Sequence, residues 1–280
     1  WLESLRTDYR EEATFRLYDI ERDLSSAKDF QRSYLEKPYP KIPLVHSEGH
    51  LRFCFGHRYQ MAVALGGDFF DIFPAASDCA GVFIADVMGH GTRSALITTL
   101  LRTLIKDFSK QGRNARLFMS ELNKAFCHLM QSMPDPLFVS AFYLVGDATG
   151  RVATYCSAGH PAPFLARRHS RRITRLEAPD PRGSALGVVA QEDYTAGQCR
   201  LMADDLILLF TDGAYEARNH EGVAFGIDRM HETLERLLYH SKDEILDGVM
   251  KAILDFIGDE PLSDDICLVA IEVTDKAEPA

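Results

Sequence analysis

Aspartates close or open apolar runs repeatedly in this chain, with glycines nearby in several of them. Gly81-Val-Phe-Ile-Ala-Asp86-Val-Met-Gly89-His90-Gly91 ends one run on Asp86, and Leu206-Ile-Leu-Leu-Phe-Thr-Asp212-Gly213 ends another on Asp212. Ser263-Asp264-Asp265-Ile-Cys-Leu-Val opens a third run, and Gly66-Gly67-Asp68-Phe-Phe-Asp71 adds two further carboxylates. Aspartate is a poor strand former, so an Asp fixed at a strand end next to Gly calls for a reason. Several carboxylates converging in one fold repel one another unless a divalent cation neutralises them. Ligands made only of oxygen suit Mg²⁺ or Mn²⁺ and not zinc.

Gly89-His90-Gly91 follows Asp86 and leads into a helical pattern. Its glycines allow a tight turn and a close backbone approach to a ligand, and a helix start favours anions. Taken singly, each motif also reads as ordinary structure. Asp212-Gly213 is a frequent turn pair, and Asp264-Asp265 suits a solvated loop before a buried strand. His90 and His160 are of a type that does acid–base work, with turn packing as the competing reading. Arg58 and Arg93 are the basic candidates for a phosphate contact.

The elements that would position these residues can be read from periodicity. Strand patterns are expected at 51–55, 60–65, 69–73, 81–85, 138–145, 152–157, 162–166, 206–210 and 266–273. Helical patterns are expected at 92–108, 116–130, 226–239 and 242–257. Gly146-Asp-Ala-Thr-Gly150 marks a hairpin. Antiparallel strand runs interrupted by helix pairs indicate an α+β fold, not an alternating βαβ one.

Residues 1–37 are expected to be a helix, with Ala13, Leu17, Ile20, Leu24, Ala27, Gln31 and Tyr34 at heptad-like steps. Two readings stand open: a helix packed on its own domain, or a signalling helix that dimerises. Pro38, Pro40 and Pro43 break it and make 38–50 a linker, leaving 51–275 as the main domain. The chain opens on Trp1 within this pattern, so it reads as a piece of a longer protein.

At 280 residues, 46% hydrophobic and 26% charged, the chain has the composition of a folded soluble protein. A formal charge of −10 argues against non-specific nucleic-acid binding. The basic run Arg167-Arg168-His-Ser-Arg171-Arg172 reads as a solvated hairpin tip, or else as a partner or membrane contact. The six cysteines are dispersed without a Cys-x-x-Cys pair and suggest buried thiols in a reducing compartment. No run reaches the roughly 18 apolar residues of a membrane span. A cytoplasmic setting is expected, with tethering through upstream sequence left open.

Together the motifs resemble a known family. Gly66-Gly67-Asp68-Phe69-Phe70-Asp71, Ala85-Asp86-Val87-Met88-Gly89-His90-Gly91, Ser157-Ala-Gly159-His160-Pro161-Ala-Pro163, Phe210-Thr211-Asp212-Gly213-Ala-Tyr-Glu216-Ala and Ser263-Asp264-Asp265-Ile266 are similar, in this order, to the motifs of SpoIIE/RsbU-type phosphatases. These are the bacterial branch of the PPM metal-dependent serine/threonine protein phosphatases. The resemblance runs from about Gln31 to Val273. Phe70 stands where the family often has Tyr, and Cys267 where it often has Thr; neither removes a candidate ligand.

The resemblance implies a PPM-type sandwich of two antiparallel β-sheets flanked by helix pairs, with two Mn²⁺ or Mg²⁺ ions at one end. It implies that Asp86 bridges the ions and Val87 lends its carbonyl. Asp212 and Asp264 would hold one ion and Asp68 would serve the other, with Asp71 and Asp265 in supporting places. A metal-activated water would then attack phosphoserine or phosphothreonine directly. The implied client is a phosphorylated STAS-domain anti-sigma-factor antagonist, with an upstream sensor or receiver domain acting through the helix. Two alternatives keep other classes in view: a catalytically silent docking module of the same fold, and a GHKL-type ATP-binding kinase. The latter leaves Asp212 and Asp264-Asp265 unexplained.

Overall fold

The computed structural model describes residues 22–44, 49–63, 65–89, 91–133, 135, 137–179 and 183–275. Ala13, Leu17, Ile20 and His90 lie outside the described residues, as does part of the 38–50 linker. Helix α1 covers residues 22–35. The strands are β1 (Arg52–Gln60), β2 (Asp68–Ala76), β3 (Cys79–Val87), β4 (Val139–Asp147), β5 (Val152–Ala158), β6 (Phe164–Arg167), β7 (Arg172–Arg175), β8 (Gly197–Arg200), β9 (Asp205–Phe210) and β10 (Ile266–Thr274). The remaining helices are α2 (Thr92–Phe108), α3 (Ala115–Met130), α4 (Gly213–Glu216), α5 (Gly226–Arg236) and α6 (Lys242–Ile257).

Two five-stranded antiparallel sheets result, in the orders β1-β10-β9-β6-β7 and β2-β3-β4-β5-β8. Strand alternation decides what each face buries. In β3, Val82 and Ile84 enter the layer between the sheets, whereas Phe83, Ala85 and Val87 pack under α2 and α3. In β9, Ile207 and Leu209 face the layer between the sheets, and Leu206, Leu208 and Phe210 lie under α5 and α6. The product is a four-layer α+β sandwich of the kind expected. Leu35 at the end of α1 and Ile42 beyond it also join the central layer.

Two helices, α3 and α6, start at side-chain caps. Asn114 accepts a hydrogen bond from the Leu117 N–H, and Ser241 with Glu244 forms a capping box that starts α6.

Three expectations need correction. The described residues of 60–65 are not a strand of their own: β1 runs to Gln60, where its ladder with β10 ends opposite Ile266, and the described residues of 61–67 form a loop crossing to the second sheet. Strands β7 and β8 carry no apolar alternation, being short, polar edge strands, and periodicity misses them. The basic run does sit at the β6–β7 hairpin, but Arg168 is not solvated. Its Nη1 pairs with Glu272 Oε1 at 2.7 Å, its Nε donates to the Leu238 carbonyl and its Nη2 to that of His240.

Candidate metal centre

The same alternation that builds the core delivers the carboxylates. Asp68 and Asp86 share the parity of Ile72, Val82 and Ile84, so both belong to the face of the second sheet that looks toward the first. They are direct cross-strand partners in the β2–β3 ladder, a placement that brings side chains on one face together. Thr211 and Asp265 share the parity of Leu209 and Cys267 on the opposing sheet. All of these positions fall where strands end, so one end of the central layer becomes polar while its middle stays apolar.

Hydrogen bonds then fix the parts. Thr211 Oγ1 donates to Asp68 Oδ2 at 2.6 Å and accepts from the Cys267 N–H at 3.0 Å, tying the Asp68 carboxylate to the other sheet. Asp265, buried at 2% exposure, accepts from the N–H groups of Ala62 (2.8 Å) and Gly67 (2.9 Å) and from the Tyr59 hydroxyl (3.4 Å). Tyr59 Oη also reaches the Asp68 carbonyl. Asp265 therefore holds the loop that presents Asp68. From the other side, the Gln31 amide of α1 donates to the Gly66 carbonyl at 2.8 Å and accepts from its N–H at 3.2 Å.

Glycine is required at 67 by close approach. A Cβ there would stand 2.7 Å from the Val87 carbonyl oxygen, 3.0 Å from that of Gly89 and 3.5 Å from Asp86 Oδ1. Those three oxygens thus gather around one point of the backbone. Gly89 and Gly91 turn the chain out of β3 with φ of 86° and 94°.

The electrostatics of this end are one-sided. Burial, then the nearby Asp86, pushes the Asp68 carboxyl well above the usual range, with the Thr211 hydroxyl opposing. Burial, then Asp212 and Asp264, pushes Asp86 up to about 7. Burial, then Asp264 and Glu216, raises Asp212. Among the described residues no Lys, Arg or His forms an ion pair with any of these acids. Asp212 stands at the N-cap of α4 without capping it, and its Oδ1 is buried with no hydrogen-bond partner. Buried acceptors of this kind are rare unless something else satisfies them. An all-oxygen donor set with an orphaned carboxylate oxygen and no counter-charge fits Mg²⁺ or Mn²⁺.

Asp264 is exposed at the rim, its Oδ1 accepting from the Asp265 N–H. Among the described residues, one trio of metal-competent side chains closes to within 4.8 Å, and it lies elsewhere: Asp78, Cys79 and Asp147. There Arg113 supplies the cation, pairing with Asp78 at 3.4 Å and Asp147 at 3.2 Å. No three of the described acids at the candidate centre close to that distance.

The other sequence candidates separate cleanly. Asp71 lies three residues from Asp68 and so faces the opposite side of β2, toward Arg102 of α2 and away from the centre. Asp265 is a loop anchor, as described above. His160 is buried; Ser140 Oγ lies 2.8 Å from its Nδ1, and burial pushes it down to about 3, so it is a neutral packing group. Arg58 grips Asp247 with two nitrogens, at 2.6 and 2.9 Å, and braces β1 against α6. Arg93 turns to Asp135. In the sequence Thr211 has no separate role and Gln31 only a place in the heptad-like seam. Thr211 shares the parity of Leu209, a signal that was legible, whereas nothing in the sequence joins Gln31 to Gly66.

Residues 76–274 match the SpoIIE family, described as Stage II sporulation protein E. The chain is 26% identical over 210 residues to the phosphoserine phosphatase RsbU of Bacillus subtilis, covering 75% of this chain and 60% of that protein. The chain thus spans about three-fifths of RsbU. Its fold is similar to the SiaA-PP2C domain of Pseudomonas aeruginosa, with a TM-score of 0.75, 20% identity, and coverage of 92% of this chain and 98% of that one. It is also similar to the catalytic domain of the serine/threonine protein phosphatase PstP in complex with two manganese ions, with a TM-score of 0.57, 15% identity, and coverage of 80% and 99%.

The raised Asp86 gives a pH signature with a definite sign. In the unfolded chain its carboxyl ionises near 3.8, whereas the metal-free folded chain holds the proton to about 7. The folded state therefore binds more protons across that window, and its stability falls as pH rises through it. Thermal melts in chelator should show the midpoint dropping from pH 4 toward pH 7, and Asp86→Asn should flatten that slope. An equal slope in wild type and variant would place the repulsion elsewhere.

Proposed function

We propose a function on one premise: the chain belongs to the SpoIIE family. On that premise it is a metal-dependent serine/threonine protein phosphatase. Asp68, Asp86, Asp212 and Asp264, with the Val87 carbonyl, would hold two Mn²⁺ or Mg²⁺ ions. When bound, such ions acidify a water and neutralise charge on phosphoryl oxygens. The observation that carries this reading is the buried, unpartnered Asp212 Oδ1 beside the raised Asp86 and Asp68.

The chain's own residues support the role in two further ways. Thr211 and Asp265 fix Asp68 and its loop from the opposite sheet, which limits how far the ligand set can drift. A cysteine-nucleophile route is disfavoured. Cys267, the thiol beside the site, is pushed well above its ordinary value by burial, then by Asp68 and Asp265, so it stays a thiol, not a thiolate.

A phosphorylated STAS-domain anti-sigma-factor antagonist is the proposed client, in a cytoplasmic setting. Among the described residues no helix is long and apolar enough to cross a membrane. An upstream sensor or receiver domain would act through α1, whose Gln31 grips the loop that presents Asp68. Pairing of residues 13–34 across a homodimer is the proposed route of that signal. Leu24 is only half-buried on the protomer, which leaves part of the seam for a partner.

Two outcomes are expected. A phosphorylated STAS protein should release phosphate only with Mn²⁺ or Mg²⁺ present, and Asp86→Asn and Asp212→Asn should each lower the rate more than about 100-fold; normal turnover by both would contradict the two-ion assignment. In sedimentation, the wild-type chain should be dimeric and Leu24→Asp monomeric. A monomeric wild type would remove the dimer without touching the phosphatase reading.

A further inference from the structure

A cavity of about 470 Å³ lies between α1 and α2, within the size range of small-ligand sites. Tyr34 and Lys37 line it from the α1 side, Arg102 and Lys106 line it from α2, and Asp71 of β2 lies at its floor. Three cations therefore face one carboxylate, in a chain whose overall formal charge is −10. Arg102 is the centre of the arrangement. Its Cζ lies 5.2 Å from the ring centroid of Tyr34 and 5.2 Å from that of Phe69, so aromatic rings attend the guanidinium. No described carboxylate forms an ion pair with it, although Asp71 is close enough to act on it through space. Lys37 Nζ stands 4.1 Å from the Tyr34 centroid, at the mouth of the same cavity.

A guanidinium held by rings and lacking a bonded carboxylate keeps its N–H donors for an acceptor that arrives from outside. Phosphate oxygens match that fork, and flanking ammonium groups add charge without demanding a geometry. The cavity is separate from the candidate metal centre, because Asp71 and Asp68 lie on opposite faces of β2.

We propose that this cavity binds a small phosphorylated anion, its oxygens taken by Arg102 with Lys37 and Lys106 alongside. The bound anion would join α1 to α2, since one wall belongs to each. This site does not depend on the chain being a phosphatase.

Calorimetric titration of the 280-residue chain in chelator, with pyrophosphate and with ATP as probes, tests it. At least one probe should bind with a millimolar or tighter constant, and Lys106→Gln and Arg102→Gln should each weaken it about tenfold or more. Lys110→Gln, an exposed charge outside the cavity, and Asp212→Asn, at the metal centre, should leave it unchanged. The tighter of the two probes tells whether a nucleotide or the bare phosphate group is read. Lys106→Gln stays decisive if Arg102→Gln fails to fold, because Lys106 is exposed. Absence of binding by both probes, or equal affinity in Lys106→Gln and Lys110→Gln, would overturn the site.

Discussion

Mutual repulsion among acids at one end of an apolar layer is the constraint around which this molecule is organised. Asp68 and Asp86 face each other across one ladder, and Asp212 and Asp264 bear on Asp86 from the opposite sheet. Burial withdraws Asp68, Asp86 and Asp212 from the solvent that would screen them, so each of these three favours its protonated form or a cation. The surrounding structure resists their separation. Thr211 bonds Asp68 across the sheets, and Asp265 collects two donors from the loop that carries Asp68 and a third from Tyr59 of β1. Such an arrangement costs stability in the metal-free state, which is the expected cost of a site preorganised for a doubly charged ion.

Much of this was legible in the sequence because strand parity is a strict rule. Residues 81–87 and 206–212 place their aspartates at strand ends, and the structure sets both ends at one edge of the central layer. Parity also explains Asp71, whose odd spacing from Asp68 sends it to the other face of β2. What stayed hidden were pairings between distant segments with no period to announce them. The β7 and β8 edge strands are four residues each and mostly polar, and the 61–67 crossing borrowed the look of a strand from Met61, Val63 and Leu65. The Arg58 grip on Asp247 spans 189 positions, so no local pattern encodes it.

Helix α1 links the acidic end of the sandwich to the cavity beside α2. Gln31 holds the loop that leads to Asp68, while Tyr34 covers Arg102 on the far side of the same sheet. Leu35 anchors the helix end in the central core. A displacement of α1 would therefore reach the acidic end through Gly66 and the α2 cavity through Tyr34. That is a physical connection between packed groups, whatever partner moves the helix.

The most direct test of the central claim is anomalous diffraction from crystals of the chain soaked in Mn²⁺. Two peaks about 3.5–4 Å apart, between Asp86 and Asp212 with Asp68 and Asp264 alongside, are the result the account predicts. A map with no peak at that end of the sandwich, or with manganese bound only at Asp78 and Asp147, would contradict it.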